Sequence, residues 1–113
     1  MPSQFKPTIR ERNRYLTFEI LCDKAVDRKT LVDAVWSVML RLYGEVGTSK
    51  TSLWVMDWDE TAKKGIVKVN RASIDLLRSS LVLLKEIKGG KVAVNVYRVS
   101  STLKKARETM QRS

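Results

Sequence analysis

The chain has no histidine and a single cysteine among its 113 residues. Without imidazole it lacks the commonest general base and the commonest metal ligand together. Serine and threonine hydroxyls therefore have no histidine to activate them. Cys22 falls on the apolar side of a predicted strand, the setting of an inert thiol. One cysteine closes no internal disulfide, which suits a reducing compartment. No apolar run approaches the ~20 residues of a membrane span. The opening Met1-Pro2-Ser3-Gln4-Phe5-Lys6 lacks the apolar stretch of a secretory signal. The expectation is a cytoplasmic chain with no membrane segment. Acidic residues are also scarce, 12 Asp and Glu against 22 Lys and Arg, for a net charge of +10.

Hydrophobic residues make up 43% of the chain, enough for one packed core at this length. The positive charge gathers at the two ends. Residues 1–14 hold Lys6, Arg10, Arg12 and Arg14 against Glu11, and residues 98–113 hold Arg98, Lys104, Lys105, Arg107 and Arg112 against Glu108. A nearly balanced body with basic ends suits contact with phosphate backbones, because pairing with phosphate releases condensed counterions. The division is a basic arm (1–13), a folded domain (14–99) and a basic C-terminal helix and tail (100–113).

The pattern of residues gives an order of elements. Leu16, Phe18, Ile20 and Cys22 alternate on one side of a strand. Asp27 has the position of an N-cap for a helix running through Tyr43 and ending at Gly44, with a polar loop from Gly44 to Thr51. Leu53–Asp59 reads as a strand with Trp54, Met56 and Trp58 on one face, paired in a hairpin with 66–69. Asn70 is placed to cap a second helix reaching about Lys88. A strand over 91–99 presents Val92, Val94 and Val96 on one side, and Ser100 or Ser101 caps a last helix, 102–111. The resulting β-α-β-β-α-β order predicts an α+β, ferredoxin-like fold of the kind found in RNA-recognition motifs. It has an antiparallel four-stranded sheet, two helices on one face and an extra C-terminal helix.

Both main helices carry more apolar surface than one sheet covers. The first shows Leu31, Val35, Val38 and Leu42 beside Val32, Trp36, Met39 and Tyr43; the second shows Ile74, Leu77, Leu81 and Leu84 beside Leu76, Leu83 and Ile87. The surplus is either packed between the helices and under the C-terminal helix, or offered to a protein partner. Chemistry has few footholds. Asp57, Asp59 and Glu60 are the one acidic cluster, and they crowd a strand end where such residues ordinarily face water. A metal-dependent nuclease needs carboxylates converging from several elements. The Gly44–Lys50 segment lacks phosphate-loop spacing, and follows a helix rather than a strand. The expected open face of the sheet, with Thr17, Glu19, Lys68, Asn95 and Tyr97 beside Tyr15, is a weak stacking platform, so backbone and shape contacts with RNA are expected.

Several segments, taken in order, resemble the archaeal ribonuclease P protein component 2 family. They are Arg12-Asn13-Arg14-Tyr15-Leu16-Thr17-Phe18-Glu19-Ile20, Ala34-Val35-Trp36 with Leu42-Tyr43-Gly44, and Leu53-Trp54-Val55 with Trp58-Asp59. Gly65-Ile66-Val67-Lys68-Val69-Asn70-Arg71, Glu86-Ile87-Lys88-Gly89-Gly90-Lys91-Val92 and Val99-Ser100-Ser101-Thr102-Leu103-Lys104-Lys105 complete the set, which spans 8–105. Ser101 stands where the family tends to have glycine. The resemblance implies a non-catalytic protein subunit of the ribonucleoprotein that removes the 5′ leader of precursor tRNA. It implies hydrolysis by the complex's RNA with Mg²⁺, no cofactor on this chain, and pairing with ribonuclease P protein component 3. It also implies that two such pairs can associate through this chain. The nearest alternative is a free-standing RNA-binding module of another ribonucleoprotein. A small-ligand regulatory domain fits less well, for want of a glycine-rich ligand loop.

The candidate RNA-facing residues are Arg10, Arg12, Arg14, Lys63, Lys64, Lys68, Arg71, Lys104, Lys105 and Arg107, with ordinary solvated charge as the competing reading. Trp36, Met39 and Tyr43 are the candidate protein-interface residues, with core packing as theirs. No catalytic or metal-binding residue is assigned.

Overall fold

The structure, a computed structural model, describes residues 12–112. Nine elements follow in order: β1 (Asn13–Leu21), α1 (Arg28–Ser49), β2 (Trp54–Asp59), β3 (Lys64–Asn70), α2 (Ile74–Leu83), β4 (Glu86–Ile87), β5 (Gly90–Lys91), β6 (Ala93–Ser100) and α3 (Leu103–Arg112), and a single 3₁₀ turn, Arg71–Ser73, leads into α2. The main sheet is antiparallel with strand order β2-β3-β1-β6, the expected ferredoxin-like arrangement. On its inner face Leu16, Phe18 and Ile20 of β1 meet Val67 and Val69 of β3. Over them pack Leu31, Val35, Val38 and Met39 of α1 and Leu77 and Leu81 of α2. Most of the predicted stripe residues are therefore core, while Leu42, Leu76 and Leu83 stay exposed.

Four boundaries differ from the sequence reading, each for a local reason. Gly44 takes φ 73° and ψ 177°, which breaks the helical path, but the chain resumes helical geometry and α1 runs on to Ser49. The expected 44–51 loop is thus largely helix. Asn70 makes no cap bond; its Nδ2 donates to the Lys50 carbonyl at 2.7 Å, tying the end of β3 to the end of α1. Helix α2 stops at Leu83 because Leu84 is extended (ψ 105°). The next residues make the β4–β5 hairpin, turning on Lys88 and Gly89, both at positive φ as two-residue hairpin turns require. At the last helix the cap is Thr102, whose Oγ1 accepts from Lys105 N at 3.2 Å. Ser101 is not among the positive-φ residues, so a side chain there is unstrained.

The largest difference concerns α3. It packs across the sheet face opposite α1 and α2, and does not cover their flanks. Thr17 and Ile66, on that face, are fully buried along with Ala106, and Thr17 Oγ1 donates to the Ala106 carbonyl at 3.4 Å. The sheet is a central layer with helices on both sides.

Candidate nucleic-acid interface

Two bulges decide which side chains share the α3 face. Register shifts between Val55 and Asp57, so Met56 is the extra residue in β2. A second shift in the β1–β6 pairing makes Tyr97 the extra residue in β6. A bulge of this kind turns later side chains to the other face. Trp54 and Trp58 consequently lie on opposite faces, contrary to the expected alternation. Trp58 stacks on Phe18 with centroids 6.1 Å apart and donates Nε1–H to the Val26 carbonyl at 2.8 Å.

Three cross-strand rows result on the α3 face. One is Trp54, Lys68, Tyr15 and Ser100; the next is Asp57, Ile66, Thr17 and Arg98; the third is Asp59, Lys64, Glu19 and Asn95. Helix α3 lies over the middle row. Arg107 clamps it there, with Nε 2.8 Å and Nη2 3.2 Å from the two Asp57 oxygens. Asp57 holds the guanidinium pKa above its ordinary value. The bulged Tyr97 donates to Glu19 of the third row, which raises the phenol pKa, and the Lys64 ammonium sits 5.7 Å from the Tyr97 ring centre.

The candidate cations divide between the two ends of the sheet. At the end where β1 starts and β3 and β6 finish, Arg12 and Arg71 are exposed neighbours, joined by Arg71 N–H to the Arg12 carbonyl at 2.7 Å. Arg14 and Lys68 are near the same end but on opposite sheet faces, Arg14 opposite core-facing Val69 and Lys68 on the α3 face. Helix α3 also begins here, bringing exposed Lys104 and Lys105 in its first turn. Exposed Lys50, which the sequence reading left out, joins them through the Asn70 bond to its carbonyl. Only the folded path of α1 brings it there, since nothing in its local sequence sets it apart.

The opposite end holds Lys63 and Lys64, but in a mixed setting with Asp23, Asp59 and Glu60. Lys63 has a structural task, with Nζ donating to the Cys22 carbonyl at 2.7 Å and its own carbonyl accepting from Ile20 N. Arg107 is engaged by Asp57. Arg10 lies outside the described residues.

The protein-interface candidates are mostly core. Met39 is fully buried, while Trp36 and Tyr43 are half-buried against the core. Tyr43 Oη donates to the Leu76 carbonyl at 3.4 Å, joining α1 to α2. The exposed apolar residues of the helices are instead Leu40, Leu42 and Val46 of α1 and Leu76, Val82 and Leu83 of α2. Part of the surplus apolar surface is thus open. The acidic cluster is dispersed: Asp57 pairs with Arg107, and Asp59 Oδ1 accepts from Thr61 N and Ala62 N in its own turn. Among the described residues no group of three or more His, Cys, Asp or Glu could hold a metal ion, and no helix is long and apolar enough to cross a membrane.

Comparison with known proteins bears on the family and the fold. Residues 14–111 match the model of the Rpp14/Pop5 family. The chain is 33% identical over 104 residues to ribonuclease P protein component 2 of Pyrococcus furiosus, covering 92% of this chain and 87% of that one. It is 37% identical over 102 residues to the protein of the same name from Methanococcus vannielii, covering 90% and 77%. A chain in the cryo-EM structure of yeast ribonuclease MRP has a similar fold, with TM-score 0.69, 20% identity, and coverage of 92% and 95%.

Proposed function

Because the chain belongs to the Rpp14/Pop5 family, we propose that it grips RNA at the basic end of its sheet and docks a companion protein on its helices, without cutting RNA itself. It is a protein subunit of ribonuclease P, and so works with RNA and protein partners. The observation that carries the RNA assignment is the convergence of Arg12, Arg14, Lys50, Lys68, Arg71, Lys104 and Lys105 on one end of the molecule. Cations gathered on one surface contact several phosphates at once, and each contact releases counterions. The exposed leucines of α1 and α2 give the companion an apolar docking surface.

We infer further that the whole complex removes the 5′ leader of precursor tRNA. Hydrolysis then falls to its RNA with Mg²⁺, while this chain holds no cofactor. The companion is ribonuclease P protein component 3, two such pairs join through this chain, and the assembly works in the cytoplasm. The ion pair of Asp57 and the turn bonds of Asp59 support a non-catalytic role, since both carboxylates are already in structural use. Affinity capture of the tagged chain from its own cells, with sequencing of the bound RNA and mass spectrometry of bound protein, tests the assignment. Recovery of ribonuclease P RNA with component 3 is the expected result. Ribosomal RNA alone would contradict it and favour a module of another ribonucleoprotein.

A further inference from the structure

The Met56 bulge changes the surface chemistry of the sheet. Without the extra residue, alternation would turn Trp54 to the same side as Trp58, into the core. With it, Trp54 emerges on the α3 face and is 58% exposed. There it stands in one cross-strand row with Lys68 and half-buried Tyr15. At about 4.8 Å between strands, the Trp54 and Tyr15 backbones are about 10 Å apart, with the Lys68 backbone on the strand between them. Helix α3 lies over the neighbouring row; in this one Trp54 is exposed, Lys68 and Tyr15 are half-buried and Ser100 is buried. Beside Tyr15, the buried Asn13 Oδ1 and Ser100 Oγ have no hydrogen-bond partner among the described residues.

We propose that this row binds single-stranded RNA as a dinucleotide step, one base stacked on Trp54, the next on Tyr15, and the linking phosphate on the Lys68 ammonium. Aromatic rings stack any base, and a cation between them meets the charge that joins two bases. The surrounding Arg12, Arg71, Lys104 and Lys105 complement a polyanion and would repel a basic partner, so RNA is the occupant. The inference rests on the reading of this chain as an RNA-gripping subunit and adds selectivity to it. The other cations bind duplex and single strand alike, whereas this row selects unpaired nucleotides.

The test uses the full chain with a short fluorescent single-stranded RNA and its duplex, titrated at several salt concentrations. Trp54→Ala should weaken single-strand binding about tenfold while leaving duplex binding and the melting temperature unchanged. Trp54→Phe should restore most of the loss, because a ring is enough. Lys68→Gln should lower the slope of log K on log salt for the single strand by about 0.7. Ultraviolet cross-linking should attach the RNA at Trp54 or Tyr15. Parent-like single-strand binding by Trp54→Ala, or equal weakening of both RNA forms, would overturn the proposal while leaving the subunit assignment intact. So would loss of companion-protein capture with RNA binding unchanged, which would hand the row to a protein. If the parent chain bound neither RNA, the RNA-gripping reading itself would fail.

Discussion

Gly65 shows how little room the core leaves at one position. A Cβ there would be 2.9 Å from the Asp57 carbonyl, Phe18 Cζ and Trp58 Cε3. The carbonyl belongs to a paired strand and cannot yield. Gly65→Ala is expected to cost about 1–3 kcal/mol by urea denaturation, as overpacking does. Gly90→Ala, whose nearest new contact is an ordinary 3.5 Å, should change little. Asp27 gives a pH-dependent case. Its carboxylate accepts from Thr30 N at 2.8 Å, and the bonds from Thr30 hold its pKa below the ordinary value. The unfolded chain therefore takes up this proton more readily than the folded one. The cap's contribution is full above the carboxylate range and fades as pH falls through it. The urea midpoint of Asp27→Ala should lie below the parent's at neutral pH, with a gap that narrows on acidification; a widening gap would contradict the assignment.

Helix α3 is the element whose existence the sequence announces and whose place it hides. Ala106 is its one fully buried residue, too weak a pattern to say which surface it covers. The sign lay on the sheet instead: Ile66, set in the hairpin return, is an apolar residue on the supposedly open face. Ile66→Ala should cost about 2–5 kcal/mol, the range for buried truncations, and an unchanged melting temperature would mean that α3 does not close that face. Strands β1 and β3 and the core stripe of α1 were legible because their apolar periods are regular. The bulges at Met56 and Tyr97 were not, since an extra residue leaves no mark on composition and is set by pairing with another strand. The end of α2 was misjudged because Leu84 and Ile87 keep helical spacing while belonging to an extended segment and a hairpin.

For the molecule as a whole, charge counting shows the surplus of cations but not where the fold gathers them. Arg12 and the first turn of α3 share one end of the molecule because β1 starts where β6 finishes. That antiparallel neighbourhood sets Arg12 near Lys104 and Lys105, adds Arg71 and Lys50, and leaves Lys63 and Lys64 at the far, mixed end. The apolar surplus of the helices was legible in the same partial way, with Leu42, Leu76 and Leu83 open as the pattern allowed. Of the interface candidates chosen from it, Met39 is buried and the aromatic pair Trp36 and Tyr43 is half-buried. The most direct measurement of the account compares salt dependence of RNA binding for two triple variants of the full chain. Neutralising Arg12, Lys50 and Arg71 together should lower the slope of log K on log salt by about two to three, while neutralising Lys24, Lys88 and Lys91, which line a cleft with Cys22, Asp23 and Glu60 at the far end, should leave it unchanged. Equal effects from both triples, or none from the first, would contradict the assignment of a single basic end that grips RNA.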